Sequence, residues 1–103
     1  MMEENYAKVS NSLLDAIMDS NLNGTQWSIV LIIIRFTMGN RMEHHELSLA
    51  FLAQELKRNR EHIGRELNVL IDRNIVSVVS TGKRGIRRLK INTDIDQWVK
   101  EVK

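Results

Sequence analysis

The sequence predicts a mainly α-helical chain with a small β-hairpin. Three observations carry that expectation. "SLAFLAQEL" and "REHIGRELNVLIDR" are two short amphipathic segments separated by a break of a few residues. Directly after them, "IVSVVST" and "IRRLKI" flank the turn "GKRG", the pattern of strand, tight turn and strand. Upstream, two further segments place apolar residues at helical spacing. Two helices joined by a tight turn and followed by a hairpin make a winged helix-turn-helix.

The elements follow in order. "KVSNSLLDAIMDSNLNG" sets Val9, Leu13, Leu14, Ile17 and Met18 at helical spacing, and Asn21, Asn23 and Gly24 end that helix. "TQWSIVLIIIRFTMGN" starts at a capping Thr25 and stops at Gly39 and Asn40. Its isoleucines suit a strand, but its length, cap and stop favour a helix. Trp27, Val30, Leu31, Ile34 and Met38 share one face; Ile29, Ile32, Ile33 and Phe36 share another. A helix apolar all round is covered on several sides. Two arrangements satisfy that: a central helix within one chain, or a helix that also builds a homodimer.

"RMEHHEL" reads as a loop leading into a very short strand. Its adjacent His44 and His45 are expected to be solvated, and with no cysteine nearby a zinc site is not indicated. Ser48 caps the next helix, with Leu49, Leu52, Ala53 and Leu56 inward. Asn59 caps its successor, which runs to about Arg73 on an inward stripe of Ile63, Leu67, Leu70 and Ile71. Asn74 can take the left-handed position that ends it. "NTDIDQWV" reads as a short terminal helix that returns Trp98 to the core.

The 103 residues suffice for one domain, 1–103, with a core over about 5–98. Hydrophobic and charged fractions of 43% and 27% are ordinary for a globular chain. No cysteine is present, which excludes disulfides and thiolate chemistry and fits a cytoplasmic protein. "MMEENYAKVS" is polar and acidic, unlike a signal peptide. The longest apolar run, "WSIVLIIIRFTM", is too short to cross a bilayer and contains Arg35.

Charge is distributed unevenly. Residues 57–91 hold ten Lys or Arg against three Asp or Glu, whereas residues 1–56 hold three against seven. A contiguous basic segment, mostly arginine, is the footprint of a nucleic-acid-binding face. In a helix-turn-helix the second helix can enter the major groove. With Ile63, Leu67 and Leu70 inward, the opposite face carries Arg58, Glu61, His62, Arg65, Asn68 and Val69. Arginine can take guanine bidentately, asparagine can take adenine, and glutamate can accept from cytosine. Glu61, His62, Arg65 and Asn68 are therefore the candidate base readers. Glu61 and Arg65, four apart, also suit a helix ion pair worth about 0.2–0.5 kcal/mol.

Ser48, Lys57, Arg58, Asn59 and Arg60, at the helix starts and the intervening turn, are candidates for phosphate. Lys83 and Arg84 lie at the hairpin tip, with Arg87 and Arg88 behind them, as a basic wing for the minor groove or flanking backbone. If five to seven cations meet phosphates, log K falls with log salt at a slope of roughly −4 to −6. Gly64 inside the second helix fits either close helix packing or close approach to a DNA backbone.

Nearly the whole chain, from about Asn5 to Trp98, resembles the N-terminal domain of the phage replication protein O family. The resemblance is carried by "NYAKVSNSLLDAIMDSNLNGTQWSIVLIIIRFTMG", by "LSLAFLAQELKRNREHIGRELNVLIDRNIVS" and by "INTDIDQW". It implies an origin-binding initiator, with recognition by Arg60, Glu61, His62 and Arg65 and a wing at Lys83 and Arg84. Two departures stand out. Lys57 and Arg58 replace the family's Gly and apolar residue in the turn, and Asn74 replaces its Gly after the second helix. The resemblance also implies a C-terminal region that recruits helicase-loading machinery. A chain of 103 residues leaves no room for it, so a fragment or a protein acting by DNA binding alone is expected.

A winged-helix transcriptional regulator has the same chemistry and differs only in its target DNA. A protein-interaction winged helix is a further alternative, disfavoured by the arginines of the second helix and the wing. An enzyme is not expected: no nucleophile set, metal-ligand cluster, phosphate-binding glycine loop or paired carboxylates can be assembled. No cofactor or metal is expected either.

Overall fold

The computed structural model describes residues 6–100. Residues 1–5, where the expected core begins, lie outside that range. The chain runs α1 (Asn11–Asp19), α2 (Gly24–Phe36), β1 (His45–Glu46), α3 (Leu49–Leu56), α4 (Arg60–Asp72), β2 (Val76–Thr81) and β3 (Arg87–Ile91). Short 3-10 turns lie at Met38–Asn40, Lys83–Gly85 and Ile95–Gln97. The strands form one antiparallel sheet in the order β1-β3-β2. This is the expected winged helix-turn-helix: α3 and α4 are the paired helices, and β2 and β3 the wing.

Each helix begins where a side chain satisfies its first free N–H groups. Ser10 Oγ accepts from Leu13 N–H at 3.1 Å to start α1. Thr25 is not the cap of α2. Asn23 is, because its Oδ1 accepts from Gln26 N–H at 2.8 Å while Gln26 Oε1 accepts from Asn23 N–H at 3.1 Å. That reciprocal capping box places Thr25 inside the first turn, where it is buried. Ser48 and Asn59 cap α3 and α4 as expected, Ser48 toward Phe51 and Asn59 toward Glu61 and His62.

The core lies where α2 crosses under α4 and the sheet. Ile29, Val30 and Ile33 of α2 meet Ile63, Leu67 and Leu70 of α4, with Leu52, Ile75, Val76 and Leu89 completing it, all essentially buried. Each such side chain contributes about 1.5–3 kcal/mol of apolar burial. The chain itself covers most of α2, so its all-round apolarity does not call for a second copy. Leu31, 51% exposed, breaks the expected inward face, as do Leu14 and Met18 on α1.

Two details differ from expectation. The terminal segment forms a 3-10 turn rather than an α-helix, with the Trp98 indole N–H donating to Asn92 O at 2.7 Å. His44 and His45 are half-buried rather than solvated, because β1 pairs with β3 and draws both against it. The ring of His45 packs edge-on against Phe36 at 5.8 Å.

Helix ends use the left-handed conformation. Asn74 takes φ 60°, as foreseen, and Lys57 takes φ 55° at the end of α3. Lys57 thus occupies the backbone conformation that glycine adopts most easily.

Candidate nucleic-acid interface

The α3–α4 turn follows directly from the left-handed Lys57. The Lys57 and Arg58 N–H groups fold back onto the end of α3, Arg58 N–H donating to Ala53 O at 3.0 Å. That closure leaves the side chains of Lys57, Arg58 and Arg60 exposed at the start of α4. Asn59 lies among them, but its Oδ1 already accepts from two backbone N–H groups as the helix cap. Ser48 is committed in the same way at 3.0 Å to Phe51 N–H and is half-buried.

On α4, Ile63, Leu67 and Leu70 are fully buried, which fixes the direction of every other side chain at about 100° per residue. Glu61, Arg65, Asn68 and Asp72 form the opposite, exposed stripe. Three of the four expected readers are therefore aligned along one face. Asp72 is a member the sequence reading missed, although extending the stripe by one turn from Asn68 would have found it. Among the described residues Glu61 and Arg65 do not form the expected ion pair, so neither is engaged by the other.

His62 is placed differently. It is half-buried on the flank of α4 that faces α2, with Nε2 3.0 Å from Thr25 Oγ1. One turn further on, Glu66 on the same flank accepts from Asn23 Nδ2. Val69 continues this flank and lines a cleft with Asn23, Gln26 and Arg73. The opposite flank faces α3: a Cβ built at Gly64 meets Leu49 Cδ1 at 3.5 Å, ordinary contact distance.

The wing tip is a tight turn closed by Gly82 N–H donating to Ile86 O at 2.7 Å. Arg84 at φ 62° and Gly85 at φ 74° turn the chain, leaving Lys83 and Arg84 exposed. Behind the tip, Arg87 and Arg88 are half-buried. Arg88 is engaged within the sheet: Nε–H donates to His44 Nδ1 at 2.8 Å, and the guanidinium lies 3.4 Å from Glu46 Oε1.

Arg73 leaves the basic face altogether. It is 6% exposed, and its guanidinium donates to Val99 O at 2.8 Å and Ser20 O at 2.9 Å. Of the cations between residues 57 and 91, Lys57, Arg58, Arg60, Arg65, Lys83, Arg84 and Lys90 remain exposed.

Among the described residues no group of three or more His, Asp or Glu is placed to hold a metal ion. No helix among them is long and apolar enough to cross a membrane.

A family whose description reads bacteriophage replication protein O matches residues 1–98 of the chain. No curated protein and no solved structure matches it.

Proposed function

The chain belongs to the bacteriophage replication protein O family, and on that premise we propose that it binds double-stranded DNA sequence-specifically, as the origin-recognising module of a phage replication initiator. One observation carries the reading. The outer stripe of α4 presents Glu61, Arg65 and Asn68 to solvent, beside a turn whose Lys57, Arg58 and Arg60 are all exposed. A helix with hydrogen-bonding side chains along its outer face and cations at its N-terminal end suits a major groove. The cations hold the phosphates and the stripe meets base edges.

In this reading Arg65 takes guanine, Asn68 takes adenine, and Glu61 accepts from cytosine. His62 sits on the flank beside these readers, its Nε2 engaged by Thr25. Lys57, Arg58 and Arg60 contact phosphate, with Ser48 and Asn59 contributing through the helix starts they cap. Lys83 and Arg84 reach the flanking backbone or minor groove, with Arg87 and Arg88 supporting the wing behind them. The protein acts by binding rather than catalysis, in the bacterial cytoplasm where phage DNA is copied. A homodimer, where it forms, would cover the exposed Tyr6 and Leu31. Helicase loading would require a further C-terminal region.

Selection of bound fragments from random and phage-derived duplex pools tests the proposal. Enrichment of a short sequence repeated within a replication origin is the expected result. Enrichment of a single promoter palindrome would make the protein a regulator. Retention of all duplexes alike, or of none, would end the specific-binding reading.

A further inference from the structure

We propose that Thr25 and Glu66 are positioning residues for DNA reading: two side-chain bridges, from the cap and the first turn of α2, hold α4 at the rotation that presents Arg65 and Asn68 outward. The inference rests on the DNA-binding reading above and deepens it.

The bridges are specific and paired. Thr25 Oγ1 lies 3.0 Å from His62 Nε2, and Asn23 Nδ2 donates to the Glu66 carboxylate. His62 and Glu66 are four residues apart, so both rungs sit on one flank of α4, one turn from each other. The anchor side is itself fixed. Asn23 is locked by its reciprocal bonds with Gln26, and Thr25 is 7% exposed in the first turn of the most deeply buried helix. A hydroxyl can donate to or accept from an imidazole nitrogen, so the Thr25 rung forms with either tautomer of His62.

The apolar stripe of α4 sets which face points outward but constrains small rotations less sharply. Ile63, Leu67 and Leu70 keep one side of the helix against the core, but apolar contact is non-directional. A rotation of about 10°, at the roughly 5–6 Å radius of the side-chain shell, moves a side-chain tip by about 1 Å. Bidentate recognition tolerates about 0.5 Å. Directional bonds on a flank resist that rotation, and they leave the outer stripe itself unobstructed.

The test uses the full chain and a duplex carrying its selected site, beside an unrelated duplex, over a range of salt. Thr25→Val keeps the buried volume and removes the hydroxyl; Glu66→Ala removes the acceptor. Thr25→Ser and Glu66→Gln restore the bonding groups, and Glu66→Gln also removes the charge, so charge is controlled. Circular dichroism and thermal unfolding establish the folded fraction, and the single variants serve if the Thr25→Val/Glu66→Ala pair does not fold. The expected result is a loss of about tenfold or more in preference for the selected site, as when one bidentate contact is lost. Affinity for the unrelated duplex is expected to track that of Thr25→Ser/Glu66→Gln, whose site preference stays at the parent value. Undiminished preference in Thr25→Val/Glu66→Ala, beside a parent that discriminates, would overturn the inference and leave the DNA reading intact. So would a loss explained by the folded fraction alone. A parent that does not discriminate between duplexes would overturn both.

Discussion

Arg88 donates its Nε–H to His44 Nδ1 at 2.8 Å and lies 3.4 Å from the Glu46 carboxylate. A wing arginine is thereby tied to the edge strand β1 rather than left free for an anion. Partial exposure and solvent screening keep the ion pair modest. Arg88→Ala is expected to lower stability by about 0.5–1 kcal/mol, seen as a lower unfolding midpoint in urea. The salt slope of duplex binding should change less than in Lys83→Ala. A slope reduced by a full unit would place Arg88 on phosphate instead.

Arg73 is the second cation diverted into the fold. Its guanidinium ties the end of α1, through Ser20 O, to Val99 O, while Val99 N–H donates back to Arg73 O at 2.8 Å. Arg73→Met keeps the stem and removes both charge-assisted bonds. A loss of about 2–3 kcal/mol is expected, read from chemical denaturation. The number of salt ions released on binding duplex should stay that of the parent protein. A large drop in ion release with little change in stability would contradict this assignment.

Lys57 holds a left-handed backbone at the α3–α4 turn, a conformation that a side chain disfavours by roughly 1–2 kcal/mol. Lys57→Gly relieves that strain and removes an exposed cation. The variant should be more stable by about 0.5–1 kcal/mol, less than the full strain because glycine also loosens the unfolded chain. Its affinity for every duplex should fall alike, with the salt slope flatter by about 1. The two effects have opposite signs, so thermal melts and salt titrations on one sample separate them.

The helices, the hairpin and the α4 stripe were legible in the sequence because each depends on local spacing and capping. Ile63, Leu67 and Leu70 announce their shared direction at helical period, and burial confirms it. The fates of individual cations were not legible. Arg73, Arg88 and Arg65 look alike in a composition count, yet one ties carbonyls in the interior, one braces β1 and one faces solvent. The partners that decide this, Ser20, Val99 and His44, lie 26 to 53 residues away in the chain. The α2–α4 bridges were hidden for the same reason. Asn23 reads as a helix terminator by local rules; its cap on Gln26 is equally local, but its bridge to Glu66 forms only where α4 packs beside it.

Gly64 was open between two explanations. The contact that a methyl group would make with Leu49 is of ordinary length, and the position faces α3 rather than the outer stripe. Gly64→Ala is therefore expected to stabilise the protein by about 0.5–1 kcal/mol through helix propensity. Duplex affinity should be unchanged. A stable variant with weakened binding would show that the DNA backbone approaches this turn of α4.

Arg65 and Lys83 are the pair whose substitution tests reading against holding. Arg65 stands in the middle of the exposed stripe of α4, between Glu61 and Asn68; Lys83 stands at the wing tip. On the proposed reading Arg65→Ala removes a forked donor from base edges, so it should cost about 1–3 kcal/mol on the selected site and relax preference at one base pair. Lys83→Ala removes an exposed point charge, on the same reading a phosphate contact. It should weaken all duplexes together and flatten the salt slope by about 1. Binding of both variants to a library of single-base substitutions, at two salt concentrations, distinguishes the patterns. If Arg65→Ala weakened all sequences equally, the outer stripe of α4 would be a phosphate-binding surface, and specificity would have to come from the wing.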